Sequence, residues 1–172
     1  MEKSKVYFSD FHTVDGLSLP KKLSRLIKRA GFDNIDFEDK FAAIKIHFGE
    51  PGNLAYLRPN YAKVVADMVK ERGGKVYLTD CNTLYPGGRK NALDHMDSAY
   101  ENGFNPFQTG CQIIIADGLK GNTEVEVPVD GGEFVEKAKI GKAVMDADIF
   151  ITLTHFKGHS STEIGRASCR ER

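Results

Sequence analysis

The chain has 172 residues, 41% hydrophobic and 28% charged, which suits one domain with a real core and is short for two. Its 24 basic and 24 acidic side chains cancel, which disfavours a nucleic-acid binder because phosphate contacts need a clustered positive surplus. No apolar run reaches membrane-span length, no secretory leader opens the sequence, and three cysteines make neither a disulfide framework nor a C-x-x-C site. The expectation is a cytoplasmic globular protein with no membrane and no nucleic-acid partner.

Strand and helix patterns alternate between residues 5 and 154. Residues 5–8 are a short β-rich run. Leu23, Leu26, Ile27 and Ala30 recur at helical spacing, with Lys21, Lys22, Arg25, Lys28 and Arg29 between them as a solvated face. Residues 41–46 form an apolar strand. Tyr61, Val64, Val65, Met68 and Val69 make a second helical stripe, entered at Pro59 and ended by Gly73-Gly74. Residues 75–79 are the next strand, and Ala92, Leu93, Met96, Ala99 and Tyr100 mark a third helix closing at Gly103. Residues 113–116 are almost wholly apolar, as expected of a strand covered on both faces. Residues 125–129 and 133–135 flank Asp130-Gly131-Gly132 as a hairpin. Ile140, Ala143, Val144 and Ala147 make a short helix before a strand at 148–154. This alternation predicts an α/β fold, an open, mainly parallel sheet with helices on both faces and a small β-hairpin insertion.

The polar residues gather after the strands. Ser9-Asp10-Phe11-His12 follows the first, His47-Phe48-Gly49-Glu50 the second, Asp80-Cys81-Asn82-Thr83 the third, Asp117-Gly118 the fourth, and His155-Phe156-Lys157-Gly158-His159 the last. In an open parallel sheet the carboxyl ends share one edge, where ligands bind. Gly49, Gly52 and Gly158 would let backbone approach a ligand. Candidate chemical groups are His47, His155 and Lys157. Candidate ligand contacts are Gly49, Glu50, Asn53, Asp80, Asn82, Thr83, Arg89, Asp117 and His159. Each has a plainer alternative: His47 as an edge imidazole bonded to a carbonyl, Arg89 as one half of a surface ion pair, Asp80-Cys81-Asn82 as an Asx turn, Cys81 as a buried thiol, Lys157 as a surface lysine. His155 and His159 are four apart but bracket a glycine, so no metal is assigned. His95, one residue off its apolar stripe, reads as structural. Nucleotide-binding glycine loops, the hydrolase elbow and the zinc-peptidase motif are absent.

The segments AIKIHFGEPGNLAYLRPNY (43–61), LTDCNTLYPGGRKNALDH (78–95), ENGFNP (101–106), IIIADGLKG (113–121) and DADIFITLTHFKGH (146–159) resemble the N-terminal part of the uncharacterised iron–sulfur-centre proteins, also called domain of unknown function 362. The resemblance implies relatives of about twice this length. In them a glycine-rich turn follows HFKGH, and ferredoxin-type cysteines (C-x2-C-x2-C-x3-C) hold 4Fe–4S clusters. It implies that residues 1–159 are a partial domain whose cluster cysteines lie outside this sequence, and that the partner is a small anionic molecule or a redox protein. Residues 164–172 (IGRASCRER) resemble a translated sequencing adapter, so 160–172 are expected to be a non-native tail. The strand-end order is also similar to that of the nickel-pincer lactate racemases, which would make His155, Lys157 and His159 acid/base and cofactor-contacting groups. A docking module without catalysis is the third expectation.

Overall fold

The run Phe-Ala-Ala-Ile-Lys, apolar at four of five positions, forms the strand around which the molecule is organised. A computed structural model describes residues 3–156 and the backbone of 158–159 and 163–164. In chain order its elements are α1 (Leu19–Arg29), a 3-10 turn (Phe32–Asn34), β1 (Phe41–Lys45), α2 (Pro59–Lys70), β2 (Lys75–Asp80), α3 (Ala92–Glu101), the single turn α4 (Pro106–Thr109) and β3 (Gln112–Ile115). The hairpin β4 (Glu124–Pro128) and β5 (Lys137–Gly141), the turn α5 (Lys142–Met145) and β6 (Ile149–Thr152) follow. A short antiparallel pair, β7 (Gly158–His159) with β8 (Glu163–Ile164), comes last.

The main sheet runs β3-β2-β1-β6 and every pairing in it is parallel. Because the register sets Ile44 beside Leu78 and Ile151, and Leu78 beside Ile113, one face carries a continuous apolar layer. That layer packs on Ala62, Val65 and Ala66 of α2 and Ala99 of α3, with Phe48 and Phe104 closing its carboxyl end. Ile44 is fully buried there, and truncating it to alanine would cost about 2–5 kcal/mol. Pro59 starts α2, where a missing N–H costs nothing. The Asn91 side chain caps α3, accepting from Leu93 N at 3.0 Å and Asp94 N at 3.1 Å.

The opposite face is covered by α5 and the hairpin. Tyr77 Oη donates to the Ala143 carbonyl, and Gly141 lies so close to Ala116 and Cys81 that an added Cβ would meet both at about 3 Å. The sheet is therefore flanked by helices as the alternation predicts, but unequally: Phe41, Ile114 and Phe150 on this face stay about half exposed. No helix among the described residues is long and apolar enough to cross a membrane.

Four local expectations are corrected. Residues 5–8 form no strand; Val6 and Phe8 are exposed, because β preference expresses itself only where side chains pack on a sheet. The strand β3 lies at the sheet edge, so Ile114 is half exposed and only one of its faces is covered. The hairpin returns at Lys137–Gly141 rather than 133–135, since Ala138 and Ile140 pair with Val127 and Val125 across an alternating ladder. Ile140 is thereby taken into β5, and the helix expected over 140–147 shrinks to the single turn α5.

Candidate functional site

From β1 the chain runs outward through β2 to β3, then returns to place β6 on the other side of β1. The topological switch point, where open α/β sheets bind ligands, is therefore between the carboxyl ends of β1 and β6. His47 leaves β1 there and His155 leaves β6, with Lys45 and Thr152 paired just before them and Leu153 N donating to Lys45 O at 2.9 Å. Both histidines are half-buried. Beside the end of β6 lies a cavity of about 240 Å³ walled by Leu26, Leu57, Tyr61, Leu153 and Thr154, with Lys22 at its rim. Lys22 pairs with Asp10 at 2.5 Å and donates to the His12 carbonyl at 2.7 Å, folding the N-terminal segment across the cavity mouth. The hydrogen bond from Lys22 holds the Asp10 carboxyl below its usual range. His12 thus reaches this end on an irregular strap and not from a strand.

The loop after His47 is locked from α3. Asn102 Nδ2 donates to Phe48 O at 2.9 Å and Ser98 Oγ to Gly49 O at 3.3 Å. Gly49 has φ +93°, and a Cβ there would fall 2.5 Å from Asn102 Nδ2 and 2.8 Å from the Tyr56 ring. Glycine is needed for that packing and that backbone angle. Gly49 N donates to His47 Nδ1 at 2.8 Å. Asn53 Oδ1 is used locally, accepting from Ala55 N at 2.7 Å.

At the ends of β2 and β3 the polar residues turn inward. Arg89 and Asp80 are buried; the Arg89 guanidinium donates through Nε (2.8 Å) and Nη2 to Glu50 Oε1, and its Nη1 lies 3.5 Å from Asp80 Oδ2. Burial works against the Arg89 charge, but the hydrogen bond to Glu50 and the charge of Asp80 outweigh it and raise the guanidinium's pKa. Tyr85 Oη, 3.0 Å from Arg89 Nη2, completes the collar. His95, fully buried, sets Nε2 3.9 Å from Asp80 Oδ2 and Nδ1 3.4 Å from Asn82 Oδ1. Asn82 in turn gives its backbone N–H (3.0 Å) and Nδ2 (2.9 Å) to Asp117 Oδ1, and Nδ2 also to Gly118 O at 2.9 Å. Thr83 N donates to Arg89 O at 2.8 Å, which closes the intervening loop. Glu50, Asp80, Asn82, Arg89 and Asp117 are thus brought together, with Thr83 holding the loop.

Lys157 and the side chain of His159 lie outside the described residues. Tyr85, Ser98 and Asn102 are the participants the sequence reading missed, while His95, read as structural, is buried at the edge. A signal existed for Ser98 and Asn102: with His95 they stand at i, i+3 and i+7, a polar stripe on the same side of α3 as the core residue Ala99.

Among the described residues no group of three or more His, Cys, Asp or Glu is placed to hold a metal ion. A 4Fe–4S cluster needs a set of thiolates. Cys81 follows β2 at the carboxyl edge, whereas Cys111 precedes β3 at the amino edge, buried and with its thiol pushed up by that burial. These two do not fit a cluster.

The strand order and the polar carboxyl edge define an open parallel α/β domain of the kind that binds ligands at a switch point. A family model, the domain of unknown function DUF362, matches residues 42–168, and the chain belongs to that family. No curated protein and no solved structure matches the chain.

Proposed function

We propose that this chain is the ligand-binding α/β part of a redox-type iron–sulfur protein. In this reading a small anionic molecule sits at the β1–β6 switch point, and a 4Fe–4S cluster is held by cysteines outside this sequence. The observation that carries the ligand reading is the strand order itself. It puts His47 and His155 on adjacent strand ends, and a cavity with an apolar wall, reached also by the Lys22–Asp10 pair, lies beside Leu153 and Thr154 at the end of β6. The iron–sulfur part rests on the family resemblance of the HFGEPGN, TDCNTLYPGGR and HFKGH segments.

Thermal unfolding of the 172-residue chain in inorganic phosphate, oxalate and lactate tests the ligand reading. A bound anion at a hundredfold excess over its Kd should add about 2.7 kcal/mol of stability, with a matching rise in Tm. If all three leave the melt where chloride does, the reading is wrong. A full-length relative purified without oxygen should show the broad visible absorption of a 4Fe–4S centre; a colourless, iron-free preparation overturns the redox assignment.

A further inference from the structure

Lys22 departs from the solvated basic face of α1. Its side chain is only 15% exposed, against 65% for its partner Asp10. Two of the three N–H donors of its ammonium serve the N-terminal strap, one to Asp10 Oδ1 at 2.5 Å and one to the His12 carbonyl at 2.7 Å. Beside it Leu19, Leu23 and Leu26 of α1 line the cavity of about 240 Å³ together with Leu57, Tyr61 and Leu153. The three α1 leucines stand at i, i+4 and i+7, one stripe of the helix. Packed interiors leave few voids larger than a water molecule, and an apolar cavity of about 150 Å³ already holds a benzene ring. The strap does not fill the space with its own apolar groups, for Phe8 is 86% and Phe11 83% exposed. What it supplies there is a carboxylate, set on the lysine.

We infer that this cavity binds an apolar monocarboxylate, its tail among the leucines and its carboxylate on Lys22 in the place that Asp10 holds. Scaled from benzene, the volume suits about ten non-hydrogen atoms, a hexanoate- to octanoate-sized chain or an aryl carboxylate. The cavity uses neither His47 nor His155, so the inference goes beyond the switch-point reading and stands or falls apart from it. Oxalate or phosphate would have to shed water against leucine walls with a single ammonium to answer its charge. A monocarboxylate presents one charge to that ammonium and its methylenes to the leucines. The exchange also keeps Lys22 paired, so no part-buried cation is left alone. Asp10, mostly exposed already, returns to water at little cost.

Methyl NMR of the 13C-leucine-labelled 172-residue chain, titrated with acetate, butanoate and hexanoate, tests this, with hexylamine as the same tail carrying the opposite charge. Hexanoate should shift the Leu19, Leu23, Leu26 and Leu153 methyl signals, and affinity should rise about fourfold for each added methylene. Hexylamine should bind about tenfold more weakly than hexanoate, or worse. Equal affinities along the series, or for hexanoate and hexylamine, overturn the inference on the parent chain alone. Lys22→Met, which keeps an apolar stem, should lose about tenfold or more in hexanoate affinity, the size of one charge-assisted hydrogen bond. Asp10→Asn should gain about two- to fivefold, the scale of a partly exposed ion pair. A Lys22→Met chain that binds as the parent does, or an Asp10→Asn chain that binds no better, also overturns it. Oxalate or phosphate that raises Tm while hexanoate leaves these methyls unmoved defeats the inference and leaves the switch-point reading standing. Hexanoate that moves them while oxalate, phosphate and lactate leave the melt unchanged does the reverse.

Discussion

The carboxyl edge of the sheet has two halves built from similar residues and used differently. On the β2–β3 half, Asp80, Asn82, Arg89, His95 and Asp117 are all buried and gathered together: Asn82 is hydrogen-bonded to Asp117 and His95, and Arg89 and His95 stand 3.5 and 3.9 Å from Asp80. On the β1–β6 half, His47 and His155 are half-buried, and a cavity lined by Leu153 and Thr154 opens beside the end of β6. The difference teaches that a polar strand end is not by itself a binding site. Charge removed from water must find partners within the protein, and once it has found them it braces the fold. Arg89 illustrates the point: its guanidinium is neutralised by Glu50 and Asp80, so an incoming anion would have to displace Glu50 to reach it.

The sharpest way to break this comparison is Arg89→Met. It removes the guanidinium from beside the fully buried Asp80, and losing one partner of a buried ionic group typically costs about 3–5 kcal/mol. A urea titration should show that loss as a lower midpoint at an unchanged slope. A midpoint within error of the parent would mean that Arg89 serves a ligand and not the fold, and the two halves would merge into one site.

Glu50→Gln comes next and is gentler. Its side chain is 30% exposed, so solvent screens the pair with Arg89, and the amide still offers an oxygen to it. The expected loss is about 1 kcal/mol or less. If Glu50 does close over Arg89, the same variant should bind oxalate at least as well as the parent by isothermal calorimetry, because a neutral amide competes less for the guanidinium. Weaker binding would place Glu50 on the ligand's side.

Much of this was legible in the chain. Alternation of short apolar runs with helical stripes was enough for the parallel sheet, and the residues that follow β1, β2, β3 and β6 do share its carboxyl edge. The division of that edge was not legible, because it depends on α3. His95 lies 13 residues beyond Asn82, and nothing in the local pattern says that its ring will fill the space beside Asp80. Ser98 and Asn102 likewise clamp a loop about 50 residues earlier, a tertiary contact that no propensity encodes. Residues 5–8 fail for the converse reason: their β preference is real, but no described strand pairs with them. The return strand of the hairpin was hidden by Asp130-Gly131-Gly132, a turn signal that falls inside a longer connection.

The smallest expected effect sharpens the other half. His155 follows β6 after Leu153, whose side chain packs against the core, and it is itself only half-buried at the rim. His155→Gln keeps a polar side chain at this half-buried position and should change stability by no more than about 1 kcal/mol. Its effect belongs to binding: the phosphate- or oxalate-induced rise in Tm should shrink although the ligand-free melt moves little. A ligand-free loss above about 2 kcal/mol, the scale of a buried polar group left without its hydrogen bond, would show that the β1–β6 half is braced like its neighbour. The working surface would then have to be sought off this edge, because every strand end on it would already be committed to holding the sheet.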